Sequence, residues 1–139
     1  MEFFDQQRQY RAMANWFDHA RLGLFIHWGH SSQRGCELSW PMVGGVFALP
    51  DQRDVRVEQY HSTAASFNPK HYDPRQWARL AKRSGVQYAV LTAKHHDGYS
   101  MFHTGQSNFS IEHSPYGKDI VGQFTQAFRS EGLTVGLYY

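Results

Sequence analysis

The chain reads as an α/β protein of about three parallel strands with flanking helices, and two observations predict it. Helical and strand patterns alternate from one end to the other, in the order helix, strand, helix, strand, helix, strand. That order predicts parallel pairing through right-handed crossovers. The connections are also unequal: Ser84-Gly85 and Glu131-Gly132 join helix to strand, whereas both strand-to-helix connections are long. Long loops of compact domains carry function, and in parallel α/β folds ligands lie beyond the carboxyl ends of the strands.

The elements follow in order. Tyr10, Met13, Ala14 and Phe17 recur at helical spacing and predict a first helix over residues 5–19. The short apolar run Leu22-Gly23-Leu24-Phe25-Ile26 reads as a strand ending at His27-Trp28-Gly29. Residues 30–72 read as turn-rich and irregular, with Gly35, Pro41, Gly44, Gly45, Pro50 and Pro69. Asp73-Pro74 then starts a helix, because the carboxylate caps free N–H groups and proline suits the first helical position. Trp77, Leu80 and Ala81 give that helix its apolar face, and Gly85 stops it. Val86 to Thr92 forms the second strand. After the long segment 94–118, Asp119 caps a helix whose Ile120, Phe124, Ala127 and Phe128 share a face, and Leu133 to Tyr139 reads as the third strand. No internal repeat or low-complexity segment interrupts the pattern.

Composition narrows the function classes. With 139 residues, 41% of them hydrophobic and 16% aromatic, the chain is long enough for one domain with a core and too apolar for disorder. The net charge of +2 comes from scattered lysines and arginines, so no nucleic-acid footprint is expected. The single Cys36 excludes an internal disulfide and any multi-thiolate metal site. The start, MEFFDQQRQYR, carries charge where a signal peptide needs an apolar core, and no apolar run is long enough to span a bilayer. The expectation is a soluble, cytoplasmic chain as given, without membrane contact.

The chemistry concentrates in AKHHDGYSMF, residues 93–102, directly after the second strand. His95 and His96 are adjacent, and on an extended strand adjacent side chains diverge. A zinc site would need a bent chain and a distant ligand such as His27, and neither an HExxH pattern nor a cysteine pair accompanies them. No metal and no cofactor are expected. A polyol suits the residues better, since a sugar needs fixed donors and acceptors beside an aromatic wall. His27 with Trp28, Trp40 with Glu37, and His95-His96 with Tyr99 bring both kinds of group to one edge. The alternative is that the aromatics are core and the histidines merely end strands. Asp97 can fix an imidazole tautomer or cap loop amides, and Lys94 can pair with an acid or stay solvated. His19, His30, His61, His71, His103 and His113 have no motif behind them, and surface or packing roles are expected.

LGLFIHWG, the later EQY, FNPKHYDPRQWARLAKRSGVQYAVLTAKHHDGYSMF and finally GLTVGLYY closely resemble the N-terminal part of the α-L-fucosidases, a glycoside hydrolase family. The resemblance covers nearly the whole chain from Trp16 onward. It implies a partial (β/α)8 (TIM) barrel, with residues 1–139 as the N-terminal portion of the catalytic barrel and a single truncated domain. It also implies retaining hydrolysis of α-L-fucosides, with fucose hydroxyls held by His27, His95 and His96. The family's Glu-Trp pair after the first strand has its nearest match in Glu37-Leu38-Ser39-Trp40, with two residues inserted, which makes Trp40 and Glu37 further sugar-binding candidates. A tyrosine at the end of the third strand completes such sites, and Tyr138 has the strand parity of the small Gly136.

Retaining hydrolysis requires two carboxylates about 5 to 5.5 Å apart. The family's nucleophile lies on the fourth strand and its acid/base later still, so no catalytic residue is assigned here. Little or no activity is expected of the chain alone. Three parallel strands leave a face uncovered, so the expected partners are fucose or fucosylated glycans and either a second copy or a complementing barrel fragment. A non-catalytic oligomeric scaffold with a relic sugar site is the other reading.

Overall fold

The computed structural model describes residues 15–43 and 55–139. Its centre is a three-stranded parallel sheet of β1 (Gly23–Ile26), β2 (Tyr88–Thr92) and β3 (Thr134–Tyr138), in spatial order β1-β2-β3. Phe25 lies opposite Val90, and Val90 opposite Gly136. The strands are a residue or two shorter than the apolar runs suggest. Backbone hydrogen bonds from Gln87 N–H to Leu22 and from Thr134 N–H to Gln87 nevertheless continue the ladder at 2.9 and 3.2 Å.

The two long helices form where the caps predict. In α4 (Pro74–Arg83) the Asp73 carboxylate accepts from the Arg75 and Gln76 N–H groups, both at 3.0 Å. In α5 (Ile120–Ser130) Asp119 accepts from Gly122 N–H at 2.7 Å. Both pack on one face of the sheet, where Ala78, Ala81, Ala89, Leu91, Ile120, Phe124 and Phe128 are buried. Of the helix predicted over 5–19, residues 15–19 are helical (α1), and the rest lies outside the described residues. Trp16 and Phe17 of α1 meet the Tyr88 ring at 5.5 and 5.7 Å. That ring fills the space beside Gly23, where an added Cβ would come within 2.1 Å of it, so any side chain there would have to displace the ring.

The described parts of segment 30–72, residues 30–43 and 55–72, are more ordered than their composition suggests. They contain a 3-10 turn at His30–Arg34, the short α2 (Trp40–Val43) and α3 (Val57–Ser62), which runs into a second 3-10 turn at Thr63–Ser66. The sequence VEQYHS of α3 has no apolar stripe, and Tyr60 alone of its side chains is buried. Of the glycines and prolines noted in this segment, Gly44, Gly45 and Pro50 lie outside the described residues.

Strand parity sorts the side chains. Leu24, Ile26 and Trp28 share the helix-covered face with Ala89, Leu91 and Val135. Gly23, Phe25, Tyr88, Val90, Gly136 and Tyr138 take the other face. Among the described residues nothing covers Phe25, which is 52% exposed.

A ring cluster at the carboxyl edge as the candidate functional site

His27 continues the parity of Phe25 beyond the end of β1, and its ring packs 5.6 Å from that of Phe25. It also lies 4.9 Å from His95 and 6.3 Å from Tyr138. Tyr138 stacks on His95 at 5.5 Å, and Trp40 approaches His95 and His96 at 5.5 and 5.4 Å. The structure therefore brings His27, Trp40, His95, His96 and Tyr138 into one cluster at the carboxyl edge of the sheet. Glu37 joins it through its charge, which acts on His27.

The adjacent histidines converge because the strand stops short of them. β2 ends at Thr92, and residues 95–98 form a turn closed by a 3.0 Å hydrogen bond from Gly98 N–H to the His95 carbonyl. Gly98 has φ of +81°, a conformation open to glycine at little cost. The bend sets the two imidazoles 4.5 Å apart. Divergence, expected from an extended chain, is thus replaced by a shared face.

The loop after β1 is seated by a strained residue. Leu38, with φ of +44°, occupies the left-handed region that costs a branched side chain of order 1 kcal/mol or more. Its side chain is buried beside Gly29, where an added Cβ would come within 2.9 Å of it. The glycine of His27-Trp28-Gly29 thus leaves room for Leu38, which places Glu37 on one side and Ser39-Trp40 on the other. Ser39 is buried, and its hydroxyl is hydrogen-bonded to His95 Nδ1.

Burial sets the protonation of His95 and His27. His95 is pushed down to about 4 by desolvation, with the neighbouring His96 and His27 adding to the effect. His27 is also lowered by burial, against the opposing pull of Glu37. At neutral pH both rings are uncharged, each with one N–H donor and one lone pair. Such pairs suit hydroxyl groups, which also donate and accept.

Two aromatics expected at this edge belong elsewhere. Trp28 follows His27 directly and so turns to the opposite face, against Phe67, Tyr72 and Trp77 at 5.7, 5.2 and 5.6 Å. Tyr99 is buried against His30 and Phe109 at 4.7 and 5.1 Å. Asp97 fixes an imidazole, but that of His30: its Oδ2 lies 3.2 Å from His30 Nε2 and accepts from the Tyr60 hydroxyl at 2.8 Å. It also caps an amide, accepting from Tyr99 N–H at 2.9 Å. Lys94 pairs with no acid among the described residues; its ammonium donates to the Tyr139 hydroxyl at 3.2 Å in an exposed contact.

His30, Ser39 and Tyr60 escape sequence reasoning. His30 takes the packing role of the two expected, being fully buried, and its partner Asp97 is 67 residues away, so no local spacing announces that pairing. A separate cleft of about 710 Å³ between α4 and α5 is lined by Tyr72, Arg75, Tyr116, Lys118 and Gln123. Its Tyr72 and Tyr116 hydroxyls already donate to Ile120 O and Gln123 Oε1, at 3.2 and 2.8 Å. Among the described residues no group of three histidine, cysteine or acidic side chains is arranged to hold a metal ion.

Comparison with known proteins agrees across sequence and structure. The alpha-L-fucosidase family model matches residues 3–139. An alpha-L-fucosidase of Branchiostoma floridae is 34% identical over 140 residues, covering 93% of this chain and 31% of that protein. One from Dictyostelium discoideum is 32% identical, with the same coverage. Among solved structures, alpha-L-fucosidase isoenzyme 1 from Paenibacillus thiaminolyticus superposes with a TM-score of 0.78 at 39% identity, over 90% of this chain and 28% of that one. The Thermotoga maritima alpha-fucosidase in complex with fucose gives 0.74 at 30% identity, over 89% and 33%. The chain spans about a third of the length of the curated relatives it matches, and it belongs to the α-L-fucosidase family of glycoside hydrolases.

Proposed function

We propose that residues 1–139 are the N-terminal portion of a (β/α)8 barrel and carry part of its fucose-binding subsite. The observation that supports this reading is the meeting of His27, Trp40, His95, His96 and Tyr138 at the carboxyl edge, with ring centroids 4.5 to 6.3 Å apart along the cluster. In this reading the imidazoles bond the sugar hydroxyls, Trp40 packs on the apolar C–H face, and Glu37 accepts from a hydroxyl at the exposed rim. Neutral His27 and His95 rings suit a neutral ligand, because neither partner has to surrender a charge on binding.

The chain by itself is proposed to bind fucose without turning over fucosides. Retaining hydrolysis needs a nucleophilic carboxylate and a second one as acid/base, about 5 to 5.5 Å apart. Asp97 is committed to His30, Tyr60 and the Tyr99 amide. At the cluster this leaves Glu37 alone among the described carboxylates. A titration with L-fucose followed by NMR, beside an assay with an aryl α-L-fucoside, tests both parts. Shifts at the cluster with no turnover are expected. Turnover abolished by replacing Asp97 or Glu112 would overturn the inactive reading, and silence of the cluster at saturating fucose would remove the binding site.

A further inference from the structure

We propose that Asp97 is the positioning residue for His95 and His96, held by His30 and Tyr60 so that the loops after β1 and β2 present one site. As regards fucose, this rests on the subsite proposed above.

Asp97 directly follows the two histidines, and its side chain is 4% exposed. A buried carboxylate must be fully hydrogen-bonded to be tolerated. Here Oδ1 accepts from Tyr99 N–H at 2.9 Å, which fixes the exit of the turn at residues 95–98. Oδ2 accepts from Tyr60 at 2.8 Å and from His30 Nε2–H at 3.2 Å. These two donors come from the other loop, 37 and 67 positions away. They are themselves tied together, because His30 Nδ1 is hydrogen-bonded to the Thr63 hydroxyl, which donates to the Tyr60 carbonyl at 2.7 Å. Tyr60, Asp97, His30 and Thr63 thus form a closed ring of hydrogen bonds.

The ring has a directional consequence. The backbone of the turn is anchored through Asp97, and the His95 ring is anchored separately through Ser39. Both anchors lead into segment 30–66, which also carries Trp40. With the carboxylate released, the turn itself keeps the Ser39 and Gly98 hydrogen bonds, while Lys94 N–H to the Tyr138 carbonyl at 3.3 Å and Met101 N–H to the Ala93 carbonyl at 2.9 Å still hold the loop on either side of it. The exposed His96 then loses the Asp97 anchor on its own turn, and its orientation toward His95 and Trp40 rests on the ring contacts themselves. Among the described residues the titratable groups beside Asp97 are His30, Tyr60 and Tyr99, and Lys94 and His95 line the same small cavity.

The test compares Tyr60→Phe and Asp97→Asn with Phe128→Leu, a core control distant from the ring cluster. Each is read by melting temperature, by L-fucose titration and by the long-range ¹H–¹⁵N signals of the His95 and His96 rings. Asp97→Asn is expected to weaken fucose binding about tenfold and Tyr60→Phe about threefold, with displaced ring signals in both. The control is expected to lower the melting temperature while leaving affinity and ring signals unchanged. If Asp97→Asn does not fold, Tyr60→Phe decides, since it removes a single hydroxyl and little volume. Unmoved ring signals in folded Tyr60→Phe and Asp97→Asn would overturn the proposal. If the unmodified chain ignores L-fucose, the sugar reading fails, and the ring signals still decide whether Asp97 positions the histidines.

Discussion

The two faces of the one sheet have opposite characters. On the helix-covered face Ala89 and Leu91 are fully buried against Ile120, Phe124 and Phe128, and the Phe124 and Phe128 rings lie 4.1 Å apart. On the other face Phe25 stands half in solvent, Val90 leans toward Gly136, and the row ends in His27 and Tyr138. Each strand alternates between the two, so one residue of shift would exchange them. Adjacent positions such as His27 and Trp28 can therefore serve a ligand site and a core respectively.

The largest expected effect belongs to the covered face. Phe124→Ala should cost about 3 to 5 kcal/mol, because it removes a buried ring and leaves a cavity that α5 and the sheet cannot close. Chemical denaturation monitored by circular dichroism measures it. A loss below about 1 kcal/mol would mean that the two faces do not differ as described. Next in size, His95→Ala should weaken L-fucose binding at least tenfold while changing the melting temperature less than Phe124→Ala does. Unfolding of His95→Ala would show the imidazole to be a structural member of the edge.

The covered face was largely legible in the sequence, and for a local reason. Asp73-Pro74, Gly85 and Asp119 act within a turn of themselves, and the apolar spacing of Ile120, Phe124, Ala127 and Phe128 needs no distant partner. The site was legible in its chemistry and less so in its geometry. His27, Trp40, His95, His96 and Tyr138 come together, yet the adjacency of the two histidines argued against convergence until the turn ending at Gly98 was seen. Trp28 and Tyr99 show the converse, since composition alone cannot say which face an aromatic takes. α3 was illegible because its burial is a single tyrosine whose partner, Asp97, lies beyond β2.

The pH dependence of stability separates the faces further. A histidine whose folded pKa is lowered binds fewer protons than in the unfolded chain between the two values. His95, drawn from 6.5 to about 4 by burial, therefore makes no pH-dependent change above about pH 6.5. Stability then falls as pH drops from about 6.5 to 4 and levels off for this group below that. His27 is lowered in the same direction and adds to the loss. Asp97, held below its ordinary value by His30, the Tyr99 amide and Tyr60 despite burial, adds a loss at lower pH, below the ordinary carboxylate range. His95→Ala should flatten the first descent and leave the second. Melting temperatures at intervals from pH 8 to 3 check this, and an unchanged slope between 6.5 and 4 would assign the descent to other groups.

The smallest expected effect on folding is at the open face, and it sharpens the comparison. Phe25 contributes an exposed ring that among the described aromatic rings meets those of His27 and Tyr138, at 5.6 and 5.9 Å, so Phe25→Ser should change stability by less than about 1 kcal/mol. Its effect on association should be larger. Phe25 is one of several large apolar side chains left at the surface, with Leu80 at 55% and Leu137 at 49% exposure, and apolar surface of this kind favours contact with a partner. A specific interface of about 1,000 Å² or more suits a second copy meeting the open face, and a two-fold arrangement is the commonest form. Sedimentation at micromolar concentration should show a dimer or larger species that Phe25→Ser shifts toward the 16.1 kDa monomer. A monomer before the substitution would mean that the open face is tolerated in water as it stands. Association that Phe25→Ser leaves intact would move the contact to the edges marked by Leu80 and Leu137.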